Sequence, residues 1–291
     1  MPTRVFGILL LLVTVAQTAT VRRNLDVRHV PFNPDGYPRP VYGVFDMDLP
    51  RFPNGGMLRP FPGPELRATA GDTMEVTFHN NLKDQVISIH WHGLHLQNNP
   101  WADGVYRITE CGIQPGTSFT YTFVVEHVGT HWYHSHAGLQ YGDGLYGPLI
   151  VEPRGEDPIT VRYKPAHEYN MMVQDWFHDE ASLKAISLVG PAGAFEGFHT
   201  RSPRGPVPVV LINGRGQFNC SKAATFAECR ARGMAACAVL RDPYLGSCNE
   251  TNAPPDTYQC AKGRNVRLRI TNAAAGLDMR FWVDQHEMMI V

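Results

Sequence analysis

The sequence predicts an all-β protein with two domains. It contains 27 glycines and 23 prolines, several short runs in which apolar and polar residues alternate, and no long helical stripe in its first half. Glycine and proline are typical of turns between short strands, and strict alternation indicates a strand with one buried face. Domains usually contain roughly 100–200 residues. A chain of 291 residues is therefore expected to form two.

The first β region begins near residue 65. In Thr73–His79 every second residue is apolar, and the turn residues Gly71 and Asp72 precede the run. Similar strands are expected at Ile87–His92, Ser118–Val125 and Leu149–Val151. Short strands separated by turns in this way favour a sandwich or a Greek-key barrel.

Residues 152–165 are rich in proline, glycine and charge, which indicates a linker. A second β region is expected at Tyr169–Trp176, Val207–Ile212, Val266–Ile270 and Met279–Val291, with an irregular insertion over 213–263 and a short helix near Ala223–Arg232. The chain ends inside the last expected strand. This favours the interpretation that the sequence is a fragment whose second domain is incomplete.

The first twenty residues predict a secretory signal peptide. Arg4 provides a positive charge, Val5–Val15 is apolar but too short to span a bilayer, and the small residues Ala16 and Ala19 follow. A buried N-terminal strand is the alternative. No other stretch is long and apolar enough to span a membrane. The net charge of −1 also argues against nucleic acid or an anionic membrane as a partner.

Six cysteines in a secreted chain predict disulfides. All except Cys111 lie between residues 220 and 260, and the same stretch contains glycosylation sequons at Asn219 and Asn249. Sequons are used only on exposed loops of secreted proteins. We therefore expect an extracellular, disulfide-bonded glycoprotein.

Seven of the 13 histidines lie between residues 90 and 136, and four form two H-x-H pairs, His90/His92 and His134/His136. Residues i and i+2 of a strand point to the same face, so each pair presents two imidazoles together. Burying four histidines without a metal or other partners would be costly. If the two strands approach each other, the pattern predicts a metal site.

Because side chains alternate between the two faces of a strand, two nearby histidines are excluded as metal ligands. His131 and His95 lie three residues from His134 and His92, so they face the opposite side and are interpreted as supporting or structural residues. Imidazole suits copper, zinc, iron and nickel. A structural zinc site usually includes cysteines, and only Cys111 is nearby. Ligation by imidazole alone therefore favours copper.

The motifs around these pairs resemble the copper motifs of the multicopper oxidases, the family of laccases and ascorbate oxidases. Ser88–Gly93 (SIHWHG) with Trp101–Gly104 (WADG) resembles the first motif, and Gly129–His136 (GTHWYHSH) with Asp143–Val151 (DGLYGPLIV) resembles the second. Four later segments resemble second-domain signatures of the same family: Asp175–His178, Leu211–Phe218, Arg267–Ile270 and Phe281–His286. The resemblance covers nearly the whole chain after the signal peptide.

This resemblance implies tandem cupredoxin-like Greek-key β-barrels. Domain 1 is expected over residues 30–153 and domain 2 over 165–291, and the second is expected to be truncated. By analogy, His90 binds the type 2 copper, and His92, His134 and His136 bind the type 3 pair of a trinuclear centre that reduces dioxygen to water. Asp103 matches an acidic residue of the family that relays protons or binds a copper-bound water. Without the family context, Asp103-Gly104 would be read as a β-turn.

The sequence also departs from the family pattern. The third domain of the family carries H-x-x-H-x-H and His-Cys-His motifs, which provide four further ligands and the type 1 copper, and neither pattern occurs here. The resemblance implies a Cys220–Cys229 bridge and places the partner of Cys111 in the missing part. The pairing of Cys237, Cys248 and Cys260 stays open.

The leading hypothesis is a secreted multicopper oxidase that couples oxidation of phenolic, diphenolic or ascorbate-like donors to reduction of dioxygen. This chain would supply half of the trinuclear ligands and would be inactive alone. The alternative is a non-enzymatic secreted copper-binding protein that is naturally short. An oxidase that completes its site between subunits is excluded, because no copy carries a type 1 motif.

Overall fold

The computed structural model describes residues 18–49, 59–178, 180–181, 209–218, 256–276 and 278–291. Strands account for most of the regular structure in these ranges. The helical elements whose bounds lie within these ranges are one α-helix, α1 (Pro158–Tyr163), and two 3-10 helices, Pro100–Ala102 and Gln140–Asp143. The strands are β1 (Thr20–Phe32), β2 (Arg39–Asp46), β3 (Leu66–Thr69), β4 (Thr73–Asn80), β5 (Ile89–His92), β6 (Ser118–Val124), β7 (Gly129–Ser135), β8 (Tyr146–Glu152), β9 (His167–Trp176), β10 (Val209–Ile212) and β11 (Val266–Asn272).

The first eight strands form two four-stranded sheets. One has the order β2-β1-β4-β6 and the other the order β3-β8-β7-β5. The β1–β4 and β3–β8 pairs are parallel and the remaining pairs are antiparallel. Parallel neighbours require long connections rather than hairpins, and here the chain passes from one sheet to the other between them. The predicted all-β class is confirmed.

The core of this first unit lies between its two sheets. In β4 the alternation predicted from the sequence is present, since Met74, Val76 and Phe78 are fully buried. Trp91 of β5 and Tyr133 of β7 are also fully buried, and both rings contact the ring of Phe78. Fully burying one large apolar side chain contributes roughly 1.5–3 kcal/mol. This core determines which faces of β5 and β7 turn outward.

The last three strands form a smaller sheet with the order β10-β9-β11. Trp176 of β9 packs against Phe61, and its ring also lies 4.1 Å from the guanidinium carbon of Arg39. Arg39 forms an ion pair with Asp143, and both side chains are buried. Because Arg39 and Asp143 belong to the first unit, this cluster attaches the small sheet to the first unit beside the end of β7.

Three parts of the fold differ from the sequence analysis. The strands β1 and β2 were not predicted, and the expected linker contains the short helix α1, which Asp157 caps by accepting a hydrogen bond from the backbone N–H of Ile159. The strand expected over Met279–Val291 is wrong, because residues 278–291 contain no strand and are mostly exposed. Alternation of apolar residues makes a strand only where the backbone finds a partner, and this segment pairs with none of the described strands.

Some predictions fall on residues that the structure does not describe. These are most of the signal peptide, the helix near Ala223–Arg232, both glycosylation sequons and the Cys220–Cys229 bridge. Cys111 and Cys260 are described, and both carry an exposed free thiol. Within the described ranges, no helix has the length and apolar character needed to cross a bilayer.

Candidate metal centre

The two H-x-H motifs lie on neighbouring antiparallel strands. In the β5–β7 pair, His90 is directly opposite His134, and His92 is opposite Trp132. Directly opposite residues share a face of the sheet, with Cβ atoms about 4.5–5.5 Å apart. Just beyond β7, the backbone N–H of His136 donates to the Ser88 carbonyl (2.8 Å), which continues the same register. All four histidines therefore lie on the face opposite to the buried Trp91 and Tyr133.

The structure brings the four imidazoles together. The ring of His90 has its centroid 5.7 Å from that of His92, 5.4 Å from that of His134 and 5.5 Å from that of His136. His90, His92 and His134 each offer a ring nitrogen, and these three atoms all lie within 4.8 Å of one another. The strand register therefore produces the convergence that the sequence pattern predicted.

Two backbone carbonyls orient the imidazoles. His90 Nδ1 donates to the Asp103 carbonyl (2.8 Å), and His134 Nδ1 donates to the Ser135 carbonyl (2.9 Å). A carbonyl can only accept, so Nδ1 carries the proton in both rings and the lone pair is on Nε2. The Nε2 atom of His134 lies 3.3 Å from His92 Nδ1. Such carbonyl contacts are typical of imidazoles that ligate metals.

Burial lowers the pKa of two of these imidazoles. The pKa of His134 falls from the ordinary value of 6.5 to about 3, chiefly because of burial, with smaller contributions from the neighbouring His90, His92 and His136. Burial also lowers the pKa of His92, and His90 and His136 add to the effect. Only the neutral ring can donate a lone pair to a metal ion. The imidazole donor set, with the buried His134 neutral, thus fits a copper ion.

Asp103, the other site residue predicted from the sequence, lies beside His90. Its carboxylate oxygen Oδ1 is 3.2 Å from His90 Nδ1, and the side chain is partly exposed. The backbone there is shaped by the 3-10 helix Pro100–Ala102, which ends at Asp103, and by Gly104 with a φ of +74°. The structure thus places a carboxylate at the edge of the histidine cluster.

A buried hydrogen-bond network contacts the backbone of β5 and the loop beside it, and the sequence did not predict this network. The Tyr121 hydroxyl accepts from the backbone N–H of Ile89 (3.0 Å) and donates to the Glu110 carboxylate (2.8 Å). Burial raises the pKa of Glu110. Ser88 donates its hydroxyl proton to the Gly104 carbonyl. Pairing of Tyr121 with Glu110 depends on a loop conformation that no periodicity encodes.

His131 and His95 lie outside the cluster. His131 is opposite Gly93 in the continued register, and its Nε2 donates to the His127 carbonyl (2.8 Å). His95 is exposed and packs against the ring of His127. Within the described ranges, three or more metal-binding side chains converge only at His90, His92 and His134.

Comparison with known proteins agrees with this geometry. Two family models described as multicopper oxidase match residues 56–156 and 167–291. An L-ascorbate oxidase of Cucumis sativus is 35% identical over 273 residues, which are 91% of this chain and 39% of that protein. Laccase-1 of Cryptococcus neoformans var. neoformans is 36% identical over 260 residues, 89% of this chain and 35% of that protein.

Comparison with solved structures also gives a laccase. The crystal structure of a laccase from Botrytis aclada superposes with a TM-score of 0.61 at 30% identity, covering 89% of this chain and 39% of the laccase. The cupredoxin-like architecture is therefore confirmed. The chain spans well under half the length of each of these three proteins. The matched models, the relatives and the fold show that the chain belongs to the multicopper oxidase family.

Proposed function

We propose that His90, His92, His134 and His136 are copper ligands of an oxidase that reduces dioxygen to water. The observation that carries the proposal is the convergence of three ring nitrogens within 4.8 Å on neighbouring strands of a chain in this family. By family analogy, His90 holds the type 2 copper and the other three hold the type 3 pair. These residues would be half of the ligands of the trinuclear centre.

The copper ions, when bound, supply the electron transfer that dioxygen reduction needs, and the protein orients them. This chain prepares the ligands. The backbone carbonyls at Asp103 and Ser135 hold His90 and His134 in the tautomer with a lone pair on Nε2. Burial lowers the pKa of His134 to about 3, which keeps this ring neutral at ordinary pH, and burial also lowers the pKa of His92. His90 and His134 are therefore held in the orientation that binding a metal ion needs.

Asp103 has a second role in the proposal. Water formation consumes protons, and a partly exposed carboxylate 3.2 Å from His90 Nδ1 is accessible both to solvent and to the cluster. Positioned carboxylic acids deliver protons efficiently to reacting groups. Asp103 would take protons from bulk water and hold them beside His90, at the edge of the histidine cluster.

The donor is proposed as a phenol, a diphenol or an ascorbate-like molecule, because the relatives are named laccase and L-ascorbate oxidase. Electron entry needs a type 1 site, and none of the six cysteines in this sequence is flanked by histidines. A third cupredoxin domain with the missing motifs is thus a required partner. We also propose secretion, based on the signal-like first twenty residues.

Oxygen uptake tests this proposal. The copper-loaded chain of 291 residues is compared with the same chain joined to a third domain that carries the H-x-x-H-x-H and His-Cys-His motifs, with a phenol or ascorbate as donor. Sustained uptake is expected only from the joined protein. If the joined protein binds copper at the histidines and consumes no oxygen with either donor, the alternative of a non-enzymatic copper-binding protein is correct.

A further inference from the structure

A second group of histidines, outside the four-histidine cluster, lies in the segments that follow β5 and β6. The rings of His95 and His127 have their centroids 4.1 Å apart with an interplanar angle of 57°. His95 is exposed and His127 is half-buried, so both can be reached from solvent. Within the described part of the chain, no side-chain or backbone hydrogen bond is made by either imidazole.

The chain holds both residues in place. His95 lies between Leu94 and Leu96, which are 7% and 8% exposed, so these buried neighbours anchor the backbone while the imidazole points outward. On the other side, the His127 carbonyl accepts from His131 Nε2 (2.8 Å), and Val125, two residues before His127, is fully buried. Two anchored backbones therefore present two imidazoles to each other at the surface.

Two imidazoles at this separation suit a shared metal ion. Aromatic pairs normally prefer centroid distances of 4.5–7 Å, so this pair is closer than stacking alone favours. Metal–nitrogen bonds of about 2 Å let one ion bind two rings that lie this close. Imidazole binds borderline divalent ions, and affinity rises along the first transition series to a maximum at Cu²⁺, followed by Zn²⁺.

We propose that His95 and His127 form a separate surface site for a divalent transition-metal ion, with Cu²⁺ bound more tightly than Zn²⁺. Water completes the coordination on the exposed side. The hard ion Mg²⁺ prefers oxygen ligands and does not bind there. The inference does not rest on the proposed oxidase function, because it uses none of the residues of the four-histidine cluster.

The experiment separates the two sites by mutation. The starting protein is the full chain carrying His92→Ala and His134→Ala, which removes the main cluster, and Cu²⁺, Zn²⁺ or Mg²⁺ is titrated by equilibrium dialysis. One equivalent of Cu²⁺ is expected to bind, more weakly Zn²⁺, and no Mg²⁺. Adding His95→Ala should weaken Cu²⁺ binding by more than about tenfold, since one of two protein ligands is lost.

Two controls keep the test decisive. His167→Ala removes another exposed histidine and should leave Cu²⁺ binding unchanged. His127→Gln, checked for folding by near-ultraviolet circular dichroism, should weaken binding as His95→Ala does. Pulsed electron paramagnetic resonance should detect two imidazole nitrogens on the bound Cu²⁺ before the substitution and one after it. The proposal is overturned if the starting protein binds no Cu²⁺, or if binding survives loss of His95.

Discussion

His90 and Asp103 meet at two atoms: His90 Nδ1 donates to the Asp103 carbonyl at 2.8 Å and lies 3.2 Å from its carboxylate oxygen Oδ1. The carbonyl contact holds the tautomer of His90, whereas the carboxylate adds charge and a proton-exchanging group. The two contributions can be separated, because only the second depends on the side chain.

Asp103→Asn should preserve copper binding and impair oxygen reduction. The backbone contact to His90 survives in this variant, but the carboxylate that carries protons is lost. General acid catalysis typically contributes about 10²–10⁴-fold, so a slower reaction with its pH optimum moved to lower pH is expected. The measurement is the pH profile of oxygen uptake by the chain joined to a third domain. Asp84→Asn, an exposed site, serves as control, and equal profiles for the three proteins would rule out the role of Asp103.

Gly104→Ala should disrupt the support of β5. A Cβ at residue 104 would lie 1.7 Å from the carbonyl oxygen of Ile89, and the φ of Gly104 is +74°. Gly116 is a matched control, since its φ is +73° and no atom lies within 4 Å of the equivalent Cβ. The positive φ costs about 1–2 kcal/mol in both variants. The clash with the Ile89 carbonyl occurs only in Gly104→Ala.

Urea unfolding of the two variants measures this difference. Overpacking typically costs about 1–3 kcal/mol, so the free energy of unfolding should fall by that much more for Gly104→Ala than for Gly116→Ala. Copper binding should weaken in the first variant alone, because Ile89 immediately precedes His90. Equal stability losses in the two variants would show that the loop and β5 are not in the contact described.

The metal-free chain should lose stability in mild acid through His134. Its folded pKa is about 3, whereas the ordinary value is 6.5, so below pH 6.5 the unfolded chain binds a proton that the folded chain does not. The stability that neutral His134 contributes is fully present above pH 6.5. It is lost as the pH falls from 6.5 toward about 3, the pKa of His134 in the folded chain. The slope is about 1.4 kcal/mol per pH unit for a single group.

Unfolding free energies at about pH 7 and about pH 5 test this statement, with His134→Gln as the variant. The variant should show a shallower loss of stability between the two pH values than the unmodified chain. His167→Gln, at an exposed position on β9, should retain the full slope. A His134→Gln slope equal to that of the unmodified chain would contradict the buried, neutral state of this imidazole.

The sequence predicted the site better than the scaffold around it. The H-x-H spacing alone places His90 with His92 and His134 with His136, since the side-chain period of a strand is two. The register that sets His90 opposite His134 is a tertiary property and could only be assumed. Supporting contacts such as Tyr121 with Glu110 depend on loop conformation and leave no periodic signal.

One strand that was missed and the strand that was wrong show the two limits of alternation as a signal. In β2 nearly every residue is buried, so the strand shows no alternation that would reveal it. Met279–Val291 contains suitable apolar residues, but no strand within the described ranges pairs with it. Alternation reports how one face of a strand is buried, and it contains no information on the backbone partner that makes the strand stable.

Copper ligation by the cluster is the central claim, and a copper titration followed by pulsed electron paramagnetic resonance tests it most directly. The chain with His95→Ala, which removes the second site, is compared with the same chain carrying His92→Ala and His134→Ala as well. The first protein should bind copper with several imidazole nitrogens, and the second should lose both the copper and the nitrogen signals while staying folded. Equal copper binding with the same nitrogen signals in both proteins would contradict the assignment.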